Sequence, residues 1–399
     1  MRRRGSRVGL VTAVAAFALV ALAATAAART TTHRASSPIT IGWAYDSKGA
    51  MAPFDTPALA AAQLRVKQWN AKGGVDGRKL QIRTCDTQGN KPAVSKACAL
   101  KLLAGGANII FTTCDVDLAA PVVQEAINRG VLAIAPCIGT DQMGPKRFGP
   151  KGKLAFSFGN AAQDEGSAMA QFAWAKGWRK AALATDGVIV YFKDVVAAFK
   201  ARWLQLGGKV VDQETYHSLG GNDVNNAVSR LNGVKADVVV TSTAGAFGAL
   251  STLIAGMRSA GNNTPVLNSW AGDGTYWLPK SPPVTNYWFV TYASIFGDDP
   301  NPAVNQLAKQ VHAGTGGFIT GSAAIDGVVT AIRRAHGSTN GATLSAVLEK
   351  FRKVPTLSGL VSFSPTLHSV FGRQYRVIEI NNNKARLVGT VVAKVVPKI

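Results

Sequence analysis

Residues 63–86, QLRVKQWNAKGGVDGRKLQIRTCD, change their hydrophobic period within a single stretch. Leu64, Lys67 and Trp69, after an Ala-rich lead-in, read as the end of a helix. Residues 70–74 stop it, because the Gly-Gly pair adopts φ > 0 at little steric cost. Asp76-Gly77 is a turn dipeptide. From Lys79 onward Leu80 and Ile82 alternate with polar residues, the period of a strand. A helix delivered by a tight turn to a new strand is half of a βαβ unit. The flanking sequence then decides whether a parallel sheet follows.

It does. Residues 39–44 (ITIGWA) form a strand leading into the loop 45–50. Helices at 57–69, 91–103 and 119–128 alternate with strands at 80–84, 107–112 and 131–135. Pro92 falls in a first turn, where proline costs least. Short connections between such units predict an α/β fold with a doubly wound, mainly parallel sheet. After a Gly/Pro/Lys-rich loop at 144–153 the grammar restarts. An extended 154–158 leads to helices at 163–176, 191–206, 223–231 and 246–259, with strands at 180–185, 209–214, 236–242 and 266–270. This predicts a second lobe. Residues 287–293 are extended, and 301–313, 321–336 and 342–351 are helical. The end reads as edge strands or a terminal hairpin (359–363, 374–380, 385–396) rather than a third domain.

The 399 residues suffice for two domains, and 47% hydrophobic content allows a large core. Four arginines within residues 2–7, then an apolar run over 8–28 ending in small residues, predict a signal peptide (residues 1–28) followed by a flexible leader (29–38). The chain is therefore expected to be exported, to the periplasm or the cell surface. A membrane anchor is the other reading of that run. The formal charge is +22, and removing the four leader arginines leaves +18. Nucleic acid is a natural partner for such charge, but the basic residues are dispersed and no helix-turn-helix, zinc-finger or aromatic-basic strand accompanies them. Attraction to an anionic envelope is the simpler use.

Cys85, Cys98, Cys114 and Cys137 form no CxxC pair, which argues against a metal site. Export permits disulfides, and four cysteines allow three pairings that sequence does not settle. Their positions near strand ends favour 85–98 and 114–137. Ligands of doubly wound sheets collect beyond the C-terminal ends of strands. Here those ends are the loops 45–50, 85–89, 113–118 and 136–140. No GxSxG elbow, HExxH, P-loop or dinucleotide glycine fingerprint occurs. No enzyme and no cofactor are expected.

The leader, the strand ITIGWA, the turn WNAKGGVDGRKLQI, the strand-end loops and the tail GLVSF…QYRVIEI converge. Over about residues 39–395 the chain resembles the solute-binding proteins of ABC importers, of the branched-chain amino acid (Leu/Ile/Val) binding type. The resemblance implies a periplasmic-binding-protein type I clamshell, each lobe a doubly wound, mainly parallel sheet flanked by helices. The first lobe would hold residues 39–157 and 293–352, and the second 158–292 and 353–399. The crossings would lie near Ser157, Tyr292 and Lys353. It implies a monomer that captures a small polar solute (an amino acid, amide or related compound) and delivers it to a membrane permease. A ligand-sensing receptor acting with a separate signalling partner is the alternative.

Carried over by position, the family's hydroxyl-rich anion-binding loop falls on Cys114, Asp115, Val116 and Asp117. Two aspartates there would repel a carboxylate, so a cationic, amide-bearing or polyhydroxyl solute fits better than an ordinary α-amino acid. Capping of the next helix is the other role for one of them. Ile138, Gly139 and Thr140 match the second contact loop, and a 114–137 bridge would tie the two loops together. Tyr45 and Tyr191 would cover the ligand from opposite lobes. Asp273 matches the ammonium-binding acid, and Trp270 is a lid or stacking plate. Thr243, Ala244 and Phe247 are secondary candidates.

Overall fold

The structure, a computed structural model, describes residues 37–219 and 223–399. The signal-peptide reading and most of the leader lie outside the described residues. In chain order the first lobe is built from β1 (Ile39–Tyr45), α1 (Ala52–Ala71), β2 (Leu80–Asp86), α2 (Pro92–Ala104), β3 (Ile109–Phe111), α3 (Val116–Asn128), β4 (Leu132–Ala135), α4 (Pro145–Phe148) and β5 (Ala155–Ser157). Its five strands are all parallel, in the order β2-β1-β3-β4-β5. β1 is an interior strand and reads as an apolar run because both of its faces are covered.

The second lobe continues with α5 (Ala162–Ala175), β6 (Lys180–Asp186), α6 (Val190–Gln205), β7 (Lys209–Tyr216), α7 (Asp223–Asn232), β8 (Val238–Ser242), α8 (Ala249–Ser259), β9 (Val266–Asn268) and β10 (Tyr287–Thr291). The chain then returns to the first lobe as α9 (Pro302–Val311), α10 (Phe318–Arg334) and α11 (Gly341–Leu348). A small ribbon follows, β11 (Val354–Thr356) with β12 (Gly359–Val361). Finally β13 (Tyr375–Asn381) and β14 (Lys384–Val391) join the second sheet antiparallel, giving the order β14-β13-β10-β9-β8-β6-β7. The edge strands β7 and β14 alternate between half-buried and exposed residues, whereas β8 is buried throughout.

Helix α10 lies against α1 closely enough that a methyl at Gly321 would meet the Ala58 carbonyl. Arg65 of α1 pairs with Asp326 of α10 at 2.6 Å. The three crossings are tied side by side. Ser157 N–H donates to His368 O (2.8 Å), and Ala161 N–H to Val370 O (3.0 Å). Arg373 donates to Phe158 O (2.8 Å), with its guanidinium 4.7 Å from the Tyr292 ring.

Helix α1 begins five residues before the expected start, so Pro57 lies inside it. Proline has no N–H for the carbonyl four residues back, and that carbonyl, of Pro53, accepts from Thr315 Oγ1 instead (2.9 Å). Expected helix 246–259 is broken at Gly248 (φ +92°): a short 3-10 turn precedes it and α8 follows. Of the ribbon, β12 falls within the expected extended segment 359–363, whereas β11 has no counterpart in the sequence reading, because Val-Pro-Thr carries too little strand signal. Each lobe has its own outer core. The inner faces share one continuous core that includes Phe54 of the first lobe and Tyr191, Phe192 and Trp270 of the second, so the lobes are closed on each other.

Candidate functional site

The C-terminal strand ends of both sheets face one another across this junction. On the first-lobe side the loops are tied down by buried carboxyls. Asp46 accepts from Gly49 N (2.7 Å) and Met51 N (3.1 Å). Asp55, in α1, accepts from Asp46 N (2.8 Å) and Cys114 N (3.0 Å), joining the loops after β1 and β3. Asp115 caps α3, its Oδ1 accepting from Asp117 N (2.9 Å) and Leu118 N (3.0 Å). Burial pushes Asp55 and Asp115 up to about 7 each, and the Asp117 charge adds to the rise at Asp115. The disulfide Cys114–Cys137 joins the loops after β3 and β4 (Cα–Cα 4.8 Å), and Cys85–Cys98 pins α2 to β2 (5.5 Å). Both pairings are those the strand-end positions favoured.

The second lobe supplies aromatic surface. Tyr191 and Phe192 stand on the first turn of α6, Phe247 follows β8, and Trp270 follows β9. Trp270 stacks on Tyr292 (4.9 Å between centroids, 18°) and meets Phe54 of the opposite lobe edge-on (5.0 Å, 68°). Phe192 and Phe247 meet at 5.6 Å. These rings, with Met51, Phe54, Cys114 and Asp115, enclose a void of about 20 Å³, room for about one water. Its exposed lining is apolar throughout, with Asp115 among the residues around it, and the indole N–H of Trp270 has no hydrogen-bond partner among the described residues.

Two aspartates, one from each lobe, fasten the closed arrangement. Asp117 of the first lobe accepts from Val190 N, the first residue of α6, at 2.8 Å, while Arg147 holds its other oxygen at 2.7 Å. Ile189 at the α6 N-cap has no accepting side chain, so the cap comes from the opposite lobe. Asp273 of the second lobe accepts from Gly316 N of the first (2.6 Å), and also from Thr291 Oγ1 and Gly274 N (2.6 Å each). Burial pushes Asp273 up to about 7. Thr140 Oγ1 donates across the junction to Asp194 (3.3 Å).

Of the residues singled out by sequence, Asp115, Tyr191 and Trp270 line the void, as do the secondary candidates Ala244 and Phe247. Gly139 lies beneath the Tyr191 ring: a methyl there would sit 2.6 Å from Cε2. Asp117, Thr140 and Asp273 serve the inter-lobe contacts just described. Val116 and Ile138 point into the outer core of the first lobe. Tyr45 is half-buried beside the shared core, and its carbonyl accepts from Thr87. Sequence reasoning did not single out Met51, Phe54, Asp55, Glu165, Ile189 or Phe192. A helix begun at Ala52 would have placed Phe54, Asp55, Ala58 and Ala62 on one face, but Pro57 drew the expected start past the first two.

A family model described as periplasmic binding protein matches residues 38–385. The chain belongs to the periplasmic binding protein family. It is 24% identical over 339 residues to the Leu/Ile/Val-binding protein homolog 3 of Brucella melitensis, covering 83% of this chain and 89% of that protein. Its fold matches that of the branched-chain amino acid transporter substrate-binding protein LivJ of Streptococcus pneumoniae, solved with isoleucine (TM-score 0.76, 19% identity, 90% of this chain and 100% of that one). It also matches an ABC-transporter solute-binding protein of Rhodopseudomonas palustris, solved with 3,4-dihydroxybenzoic acid (TM-score 0.74, 16% identity, 90% and 99%). The chain is thus a type I, two-lobed binding protein for a small solute, not an enzyme.

Proposed function

We propose that this protein, exported by its N-terminal segment, captures a small solute with an apolar or aromatic body and a single hydrogen-bond donor, then presents it to an ABC permease. The observation that carries this reading is the wall of the inter-lobe void: the rings of Phe54, Tyr191, Phe192, Phe247 and Trp270 with apolar surface throughout, and the Asp115 carboxyl at its border. An α-amino acid needs a cradle for its carboxylate and an acid for its ammonium. Here Asp117 and Asp273 are occupied by backbone N–H groups of the opposite lobe, and no cation lines the void. A neutral ring with a hydroxyl or amide meets the rings by stacking and Asp115 by donation. Opening of the lobes provides room for it.

Thermal-shift screening tests the class with benzamide and phenol, isoleucine, spermidine, benzoate and glucose. Benzamide or phenol is expected to raise the melting temperature. A shift confined to isoleucine, or to the charged or sugar probes, contradicts the reading.

A further inference from the structure

Glu165 does not line the void, yet it bonds two segments of its second-lobe wall, through the Tyr191 hydroxyl and the backbone amide of Trp270. We infer that Glu165 is the positioning residue of that wall, fixing Tyr191 and Trp270 in one mutual arrangement although they stand on separate segments. Tyr191 Oη donates to both carboxyl oxygens at 3.0 Å, and the backbone N–H of Trp270 donates to Oε1 at 2.6 Å. Among the described residues, these bonds account for all the hydrogen bonding of the Glu165 side chain. Between the two donors the rings meet at 6.3 Å and 65°.

Local packing explains how a glutamate on α5 reaches a tyrosine on α6. The residue after Glu165 is Gly166, where a methyl would lie 2.3 Å from Val195 O and 2.6 Å from Phe199 N. Only a bare backbone lets the two helices approach this closely. Tyr191 lies one turn before Val195 on α6 and so falls opposite Glu165. The site is costly to maintain. Glu165 is completely buried, and burial pushes its carboxyl up to about 8. Asp164 beside it adds to that rise and the buried Arg373 opposes it. A leucine would fill the same space without the desolvation penalty. What leucine cannot do is accept from the two wall segments at once. The consequence is selectivity. With Tyr191 held over Gly139 by its hydroxyl and the Trp270 segment held by its backbone amide while the ring packs on Tyr292 and Phe54, the wall does not adapt its shape to the solute.

The inference rests on the inter-lobe void being the solute site, but its first test needs no solute. In Glu165→Leu the Trp270 amide should exchange with deuterium at least tenfold faster, and the fluorine signal of 3-fluorotyrosine at Tyr191 should broaden or split. Glu165→Gln, which keeps an acceptor, should restore both. Unchanged exchange and lineshape in folded Glu165→Leu overturn the inference. So does an equal loss of protection at the β8 amides, which marks a general loosening. The second test is benzamide affinity, expected to fall about tenfold in Glu165→Leu and to stay within twofold in Glu165→Gln. Should Glu165→Leu not fold, Tyr191→Phe replaces it, and unchanged benzamide affinity there overturns the inference. If wild type ignores benzamide while the exchange and fluorine results hold, the solute reading fails and the positioning role stands. If wild type binds benzamide and no Glu165 variant alters anything, the reverse is true.

Discussion

The two lobes contribute opposite kinds of surface to one cleft. The first lobe offers strand-end loops whose polar groups are consumed in holding the loops together: Asp46, Asp55 and Asp115 all accept backbone N–H groups, and Cys114–Cys137 ties two loops covalently. The second lobe offers rings, with Tyr191, Phe192, Phe247 and Trp270 grouped around one void. A loop that spends its polar atoms on itself can provide a rigid floor but little charge recognition. On the proposed reading, selection of a solute falls to the aromatic side, with the Asp115 carboxyl beside it.

The comparison breaks most visibly at Trp270. Trp270→Ala removes the plate that spans Tyr292 and Phe54, and benzamide affinity should fall on the order of a hundredfold, about 3 kcal/mol at the scale of a buried aromatic anchor. Calorimetric titration of the folded variant measures this. A fall of less than fivefold would place selection elsewhere. On the first-lobe side, Asp55→Ala strands two buried amides, of Asp46 and Cys114. The cost should be about 2–4 kcal/mol of stability, read as a lower urea midpoint, while benzamide affinity at low temperature changes only a few-fold. If affinity collapsed and stability did not, the floor would be a recognition surface after all.

How much of this was legible in the sequence follows from which signals are local. The alternation of period-2 and helical segments recurs through the chain, so both sheets and their mainly parallel sense could be read directly. The two disulfides were favoured by sequence but not settled by it: Cys85, Cys114 and Cys137 sit at or beside strand ends, and Cys98 lies in the helix after Cys85. The partners of Asp117 and Asp273 could not be read, because Val190 lies 73 residues from the first and Gly316 lies 43 from the second. An acid that latches a lobe and an acid that binds an ammonium look alike until the distant amide is placed. Glu165 escaped for a similar reason. Its two donors come from α6 and the loop after β9, and nothing in its own surroundings marks it.

Smaller effects sharpen the contrast. Asp117→Ala removes the cap that one lobe lends to α6 of the other, worth about 1 kcal/mol. Small-angle scattering of the unliganded protein should show a larger radius of gyration, with benzamide affinity lowered by about fivefold. An unchanged radius would show that the latch does not bias closure. A further expected effect is on pH. Asp55, Asp115 and Asp273, raised to about 7, and Glu165, raised to about 8, bind their protons more tightly folded than unfolded. Their contribution to stability therefore falls as pH rises from the ordinary carboxyl range near 4 to about 8, and levels off above. The melting temperature should be a few degrees higher at pH 5.5 than at pH 8.5, and Glu165→Gln should flatten part of that slope. A rise in melting temperature over the same interval would contradict these assignments.

The central claim is that the aromatic side, not a charge cradle, selects the solute. Isothermal titration of the wild-type protein at neutral pH with benzamide and with isoleucine, in parallel, tests it most directly. We expect saturable heat and a negative heat-capacity change for benzamide, as apolar burial requires, and no heat for isoleucine. Saturable binding of isoleucine with none of benzamide would contradict it.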